Sequence, residues 1–447
     1  MDKFYVSRFC KILSVKGFHN AFLYISTNNS LHKISNDLAA LLLDCTNNPD
    51  KIIDMPKDVI DNLQSLGAIT TLNKEEDYLR RIKIKMDYLL ESFSNSKLIL
   101  TLAPTSQCNF NCPYCFEENK PICKMSEQTI SNIVKFIAKY ENLKQLYLTW
   151  YGGEPLLALN IIQDILYKIR SNFPNLQIAH HFLVTNGYLI NEKVIDLFRT
   201  FPLDSIQITL DGIRSRHNRL RKLKRNNSGT YDRIIRNIGI VLEALPNTNI
   251  SIRVNLDKDN VNDFPTIRKK IIEKWGKHHN LFVYPGILRI EDKENRCMGC
   301  QSLLHSDIRE LFYNLGDSVN FYPILQGKGC SATHLNSFLI GPRGEMYKCW
   351  NELGDESKVI GNVADNDFSN KELMRKYMLA ANCFEDSLCK KCSILPICMG
   401  GCAYYRLKNL FENGNFDICS LYKDPGVLEK CISLHIASLC NSCHTGI

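Results

Sequence analysis

Three cysteines, Cys108, Cys112 and Cys115, stand at x3 and x2 spacing in the stretch Ala103-Pro-Thr-Ser-Gln-Cys-Asn-Phe-Asn-Cys-Pro-Tyr-Cys-Phe-Glu117. Thiolates hold iron–sulfur clusters, and three of them leave one iron of a 4Fe-4S cube open to a small molecule. A structural zinc or iron–sulfur site would close all four positions, commonly with paired Cys-x2-Cys units. The spacing therefore points to catalysis, with an exchangeable ligand on one iron. A second series lies downstream: Cys330, Gly344-x4-Cys349, Cys389-x2-Cys392-x5-Cys398-x3-Cys402 and Cys419. Taken alone it suits further iron–sulfur clusters or zinc.

Composition agrees with that use. The chain has 447 residues, 45% of them hydrophobic, and 19 cysteines. No run of eighteen apolar residues occurs, and the N-terminus Met-Asp-Lys-Phe-Tyr lacks the layout of a signal peptide. The expectation is a cytoplasmic protein without a membrane span, in a compartment whose reduced thiols argue against a disulfide framework. A net charge of +8 is modest for this length. Arg214, Arg216, Arg219, Arg221, Lys222, Lys224 and Arg225 nevertheless concentrate basic charge in one segment. It reads as a solvated loop or one that faces carboxylates, rather than a nucleic-acid surface.

The elements that must position these residues come from hydrophobic period. Strands are expected at Leu98–Leu102, Leu143–Trp150, Gln177–Thr185, Ser205–Leu210, Ile250–Asn255 and Leu281–Ile290, with helices near 127–140, 158–171, 191–200, 230–244 and 263–275. Such βα alternation predicts an α/β fold with a parallel sheet and right-handed crossovers. The first cysteine group follows the first strand, at the C-terminal end where barrel enzymes gather active-site loops. Upstream, Phe4–Leu13 and Ala21–Ser26 read as strands, 35–45 and 57–66 as helices, Ala68–Thr71 as a short strand and Lys74–Phe93 as a connector helix. Strand pairs with small helices predict a winged-helix-like module.

The cysteine loop resembles the signature of the radical S-adenosylmethionine (SAM) enzymes, in which the SAM amino and carboxylate groups chelate the fourth iron. Three strand ends extend the likeness. Gly152-Gly153-Glu154-Pro155 resembles the family motif that meets the SAM amino group; glycines allow close backbone approach, and a carboxylate is an acceptor of the right charge. Thr185-Asn186-Gly187 and Thr209-Leu210-Asp211-Gly212 look like the Thr-Asn-Gly and Ser-Leu-Asp-Gly elements that hold ribose and carboxylate, with Thr209 where serine is usual. The resemblance also places Tyr114 near the adenine and makes Arg221 a partner for the SAM carboxylate through a bidentate fork.

The downstream cysteines match the seven-cysteine SPASM pattern of radical SAM enzymes that modify peptides and proteins. Carried over, Cys389, Cys392, Cys398 and Cys419 hold a distal auxiliary 4Fe-4S cluster, and Cys330, Cys349 and Cys402 a nearer one. The fourth ligand of the latter stays open among Cys297, Cys300, Cys383 and no protein ligand at all. Cys10 and Cys45 read as core packing; Cys440 and Cys443 read as a frayed tail or an additional metal site.

The resemblance implies a partial (β/α)6 barrel at 97–300, a leader-recognition module (RRE) at 1–96 and a SPASM domain at 301–447. It implies three 4Fe-4S clusters, SAM, and an external electron donor such as flavodoxin or ferredoxin. Reductive cleavage of SAM gives a 5′-deoxyadenosyl radical that abstracts hydrogen from an unactivated C–H bond, the cofactor doing the hard step. The expected substrate is a ribosomally made precursor peptide with a leader, joined by a thioether or carbon–carbon crosslink. Formylglycine formation by a sulfatase-type maturase is the alternative, weakened because Trp350 stands where those enzymes carry an aspartate. A non-catalytic iron–sulfur carrier or peptide-binding protein is the alternative of another class.

Overall fold

The computed structural model describes residues 3–15, 17–71, 73–115, 121–288, 322–326 and 328–444. Two compact units emerge. One combines Met1–Phe93, Phe312–Leu335 and Tyr377–Ile447; the other combines Ser94–Leu311 and Asn336–Lys376.

The first unit opens with β1 Tyr5–Val6, β2 Cys10–Ser14, β3 Ala21–Ile25, β4 Ser30–Ile34, α1 Asn36–Asn47, α2 Lys57–Leu66 and β5 Ile69–Thr70. β2, β3 and β4 form an antiparallel meander, and β1 pairs with β5. The Ser35 side chain caps α1 by accepting from the Leu38 N–H, and Gly67, left-handed at φ 80°, closes α2. β3 is buried throughout because its alternating faces meet different partners. Leu23 and Ile25 pack with Leu42, Ile52 and Leu63, while Phe22 and Tyr24 pack with Ile394, Ile397, Leu428 and Ile432.

Two expectations change here. The apolar run Phe4–Leu13 is two strands, because a turn closed by the Cys10 N–H on the Ser7 carbonyl (3.0 Å) breaks it. β4 completes a three-stranded sheet that period alone missed. The unit continues through α3, Asn73–Ser92, and ends in the helix Pro425–His444. That helix carries the backbone at Cys440 and Cys443, where a frayed tail was an expectation; the side chains of these two cysteines, like Cys297 and Cys300, lie outside what is described.

The second unit is built on β6 Lys97–Leu102, β8 Gln145–Trp150, β9 Gln177–Thr185, β10 Ser205–Leu210, β12 Asn249–Leu256 and β13 Leu281–Ile287. They lie parallel and side by side in chain order. The joining helices are α4 Glu127–Ala138, α5 Leu159–Asn172, α6 Glu192–Thr200, α7 Arg214–Leu220 with α8 Tyr231–Ala244, and α9 Phe264–Trp275. Alternate strand residues, Leu98, Leu100, Leu102, Leu146, Leu148 and Trp150 among them, are fully buried. β14 Ser337–Ile340 adds in parallel beside β6, followed antiparallel by β15 Glu345–Tyr347 and β16 Gly361–Asn362. This α/β fold therefore has a mostly parallel sheet of nine strands, three more than the βα alternation predicts. Residues 336–376, assigned from the sequence to the cysteine-rich region, pack with the sheet unit.

Candidate functional site

The cysteine loop leaves the C-terminal end of β6 and lies over the Gly-Gly turn after β8. A Cβ on Gly153 would stand 2.3 Å from the Gln107 carbonyl oxygen; one on Gly152, at φ 108°, would stand 2.6 Å from that of Thr105. The turn then grips the loop: the Gly153 N–H donates to Thr105 O (3.2 Å) and the Glu154 N–H to Gln107 O (2.7 Å). The structure thus gives these glycines a task that the sequence did not reveal, the seating of the residues that lead into Cys108.

Glu154 ties strand ends together. Its carboxylate is buried and accepts from the Leu156 N–H (3.1 Å), the Thr185 hydroxyl (2.7 Å) and the Asn186 N–H (2.8 Å). Burial pushes this carboxyl up, against the pull of those donors. Asn186, so placed, donates from Nδ2 to Asn109 Oδ1 inside the cysteine loop at 2.8 Å.

The basic segment wraps the other side. β7, Phe110–Asn111, pairs antiparallel with β11, Lys222–Leu223, and the Lys224 N–H donates to the Asn109 carbonyl at 2.8 Å. Arg221 lies over the Phe110 ring at 5.4 Å, donates to the Tyr114 hydroxyl at 3.0 Å and pairs with Asp211 at 3.6 Å. The Tyr114 hydroxyl donates to Asp211 Oδ2, and Asn255 Nδ2 donates to Asp211 Oδ1 (3.0 Å). Burial raises both Asp211 and Tyr114, and Arg221 opposes the rise in each. Thr209 is half-buried in β10, in register with Arg253 of β12 and two residues short of this network. Asn109 and Asn255 were missed from the sequence. Asn255 had one usable signal, a polar residue near the end of the fifth parallel strand.

Behind the network is a buried chain of fixed polarity. The Asp211 N–H donates to His217 Nδ1 (3.3 Å), so the ring proton sits on Nε2 and meets Thr230 Oγ1 at 3.0 Å. Thr230 in turn donates to the Arg221 carbonyl at 2.7 Å. His217 is held neutral by burial and by the nearby Arg221 charge, both of which lower its pKa. The chain connects the backbones of the two residues that form the Asp211–Arg221 pair.

The donor set fits an iron–sulfur cluster with a charged small ligand. Burial pushes the Cys108 and Cys112 thiols up to about 12, so thiolate there needs a metal to hold it. Cys108 Sγ already accepts the Phe110 N–H at 3.4 Å. Asn109 Nδ2 and Arg221 Nε are buried donors without a partner, the kind of vacancy that a carboxylate-bearing ligand fills. Among the described residues no three His, Cys, Asp or Glu side chains converge on a single ion; cube ligands each meet a different iron.

The downstream cysteines fall in both units: Cys349 belongs to the sheet unit, and the other six to the first unit. Each of Cys330 and Cys402 opens a helical turn, and the helix Ala403–Phe411 after Cys402 contacts the turn Ser331–Thr333 after Cys330. Burial raises the Cys392 and Cys383 thiols, and the proximity of Cys398 acts in the same direction on both. Cationic donors point at two of these sulfurs: Arg406 Nη2 at 3.4 Å from Cys389 Sγ, and Lys423 Nζ at 3.3 Å from Cys419 Sγ. Sulfurs that draw cations suit thiolates on a cluster. Buried Cys383 packs with Tyr88, Leu395 and Met399 in the same unit.

Residues 102–271 match the Radical SAM superfamily. The parallel sheet and its cysteine loop thus define the class: the chain carries a radical SAM domain. It is 24% identical over 413 residues to the radical SAM cyclopropyl synthase TigE of Paramaledivibacter caminithermalis, an alignment covering 84% of this chain and 83% of that one. An uncharacterized protein of Methanocaldococcus jannaschii is 32% identical over 133 residues, 30% of this chain and 45% of the relative, so the chain spans under half that relative's length. Among solved structures, anSMEcpe with bound AdoMet and Cp18Cys peptide superposes with TM-score 0.58 at 21% identity, covering 77% of this chain and 98% of its own. Streptococcus suis SuiB bound to precursor peptide SuiA gives TM-score 0.53 at 15% identity, covering 93% and 100%. Among the described residues no helix is long and apolar enough to cross a membrane.

Proposed function

We propose that the chain is a radical SAM enzyme that cleaves SAM and modifies a ribosomally made precursor peptide, forming a thioether or carbon–carbon crosslink. One observation carries the proposal: the three-cysteine loop seated on Gly152 and Gly153, with Glu154 and Asp211 holding the strand ends around it. When bound, the cluster and SAM supply a carbon radical that takes hydrogen from an unactivated C–H bond.

The chain's own residues bind and orient. Cys108, Cys112 and Cys115 would hold the cluster. Arg221 Nε and Asn109 Nδ2 are the unpaired donors that would meet the carboxylate and polar edge of SAM. Asp211, with Tyr114 and Asn255 on its oxygens, fixes Arg221 and excludes water from that side. Cys389, Cys392, Cys398 and Cys419 would hold one auxiliary cluster, and Cys330 and Cys402 would be ligands of another, with an external flavodoxin or ferredoxin supplying electrons. In the meander, β2 and β4 are the edge strands to which a leader segment would add as a further strand.

Peptide crosslinking is favoured over formylglycine formation by Trp350. It follows Cys349 and packs on the Tyr151 ring, centroids 4.9 Å apart, so an aromatic pair occupies the position where an acid would serve as base. The peptide-bound structures of SuiB and anSMEcpe give precedent for peptide substrates in this fold. Coexpression with a candidate precursor peptide, followed by mass spectrometry, tests the proposal. A two-dalton loss on the peptide is expected, and an unmodified peptide contradicts it.

A further inference from the structure

Arg406 stands one turn into the helix that follows Cys402 and is 3% exposed. A buried guanidinium must have each end satisfied or its desolvation goes uncompensated. Here Nη1 pairs with Asp386 Oδ2, and Nη2 donates to both Gly400 O (2.7 Å) and Cys389 Sγ (3.4 Å). Asp386 is itself fixed, since its Oδ1 accepts the N–H groups of Leu388 and Cys389, each at 2.9 Å. The carboxylate thus shapes the Cys389 turn and aims the arginine at the sulfur of the same residue.

The loop between Cys398 and Cys402 is folded to allow this. Met399, Gly400 and Gly401 are all left-handed, at φ 47°, 84° and 71°. A Cβ on Gly400 would stand 2.2 Å from Cys383 Cβ and 3.2 Å from Arg406 Nη2; one on Gly401 would stand 1.9 Å from the Ile418 carbonyl oxygen. Any side chain at either glycine would push away the Arg406 fork or the approach to Cys419. A costly backbone is kept where it brings the N–H of an Asp386-paired guanidinium against one thiol.

We propose that Arg406 sets the reduction potential of the cluster held by Cys389, Cys392, Cys398 and Cys419. This rests on the assignment of these four cysteines to an auxiliary iron–sulfur cluster, made above. A hydrogen bond to a ligand sulfur and a nearby positive charge both stabilise the more negative, reduced cluster, so they raise its one-electron midpoint. Low exposure limits screening by water and salt, with Asp386 offsetting part of the guanidinium charge. Lys423 offers the internal comparison: it reaches Cys419 Sγ at 3.3 Å but is exposed, so its effect on the midpoint is smaller.

The test is a potentiometric EPR titration of the full-length chain carrying Cys108→Ala, Cys112→Ala and Cys115→Ala, so that auxiliary signals are read alone. Absence of iron in this parent would overturn the cluster assignment itself, before Arg406 is touched. With iron present, Arg406→Met and Arg406→Gln are compared with Lys423→Met. One auxiliary midpoint is expected to fall by at least a tenfold change in the one-electron equilibrium, about 59 mV, in whichever Arg406 variant keeps the parent's iron, with a smaller fall in Lys423→Met. Unmoved midpoints at unchanged iron overturn the proposal. Loss of one cluster from both Arg406 variants also overturns it, in favour of a purely structural role.

Discussion

Gly153 and Gln107 are in mutual contact through backbone alone: a Cβ on the glycine would lie 2.3 Å from the Gln107 carbonyl oxygen. That oxygen accepts the Glu154 N–H at 2.7 Å. The turn after β8 is therefore the floor on which the cysteine loop rests. Gly153→Ala should displace the loop at a cost of about 1–3 kcal/mol, as overpacking does. Reconstituted protein should lose about one cube of iron per chain and its SAM cleavage, while auxiliary iron remains. Unchanged iron and activity in this variant would show that the loop does not depend on the turn.

The buried chain from Asp211 through His217 and Thr230 to Arg221 makes a second prediction. Thr230→Val leaves the His217 Nε2 proton and the Arg221 carbonyl unsatisfied, and buried groups in that state cost about 1–3 kcal/mol each. Arg221 should then sit less firmly, and SAM affinity should fall about tenfold, near 1.4 kcal/mol. Thr230→Ser should restore it. Equilibrium dialysis of SAM against the reconstituted variants reads both outcomes, and equal affinity in wild type and Thr230→Val would remove the chain from the account of binding.

His181 gives a pH dependence with a definite sign. Its ring is buried, accepts from Trp150 Nε1 at 2.7 Å and faces Pro202 O at 3.0 Å through Nδ1. Burial lowers its pKa from 6.5 to about 4, with His180 acting in the same direction and the Pro202 bond and Asp204 opposing. The folded state thus binds fewer protons than the unfolded chain between these values. Stability from this residue is present above pH 6.5 and is lost as pH falls toward 4, by about 3 kcal/mol in all. Denaturant unfolding across that window should be steeper in pH for wild type than for His181→Gln. Identical slopes would assign the acid sensitivity elsewhere.

Local sequence carried the cysteine loop and the strand-end motifs, because their chemistry is written in a few adjacent residues. Period likewise gave the six parallel strands nearly to their ends. What stayed hidden depends on distant partners. Tyr114 and Asp211 are 97 residues apart, and Tyr114 and Asn255 are 141 apart, so no window of sequence shows that they share a network. β7 and β11 are two residues each, too short for any period. β14, β15 and β16 join a sheet whose other strands end about fifty residues earlier in the chain, and nothing in the pattern of β14 names β6 as its neighbour. The role of Gly152 and Gly153 as a seat was invisible for the same reason, since only the folded loop reveals what a side chain there would strike.

The central claim is that Cys108, Cys112 and Cys115 form the radical-generating centre. Its most direct test is anaerobic reconstitution with iron and sulfide, then incubation with SAM and dithionite and quantification of 5′-deoxyadenosine. Reconstituted wild type should produce it, and the Cys108→Ala, Cys112→Ala, Cys115→Ala chain should produce none while keeping the iron of its auxiliary clusters. SAM cleavage that survives in the triple variant, or is missing from fully reconstituted wild type, would contradict the account.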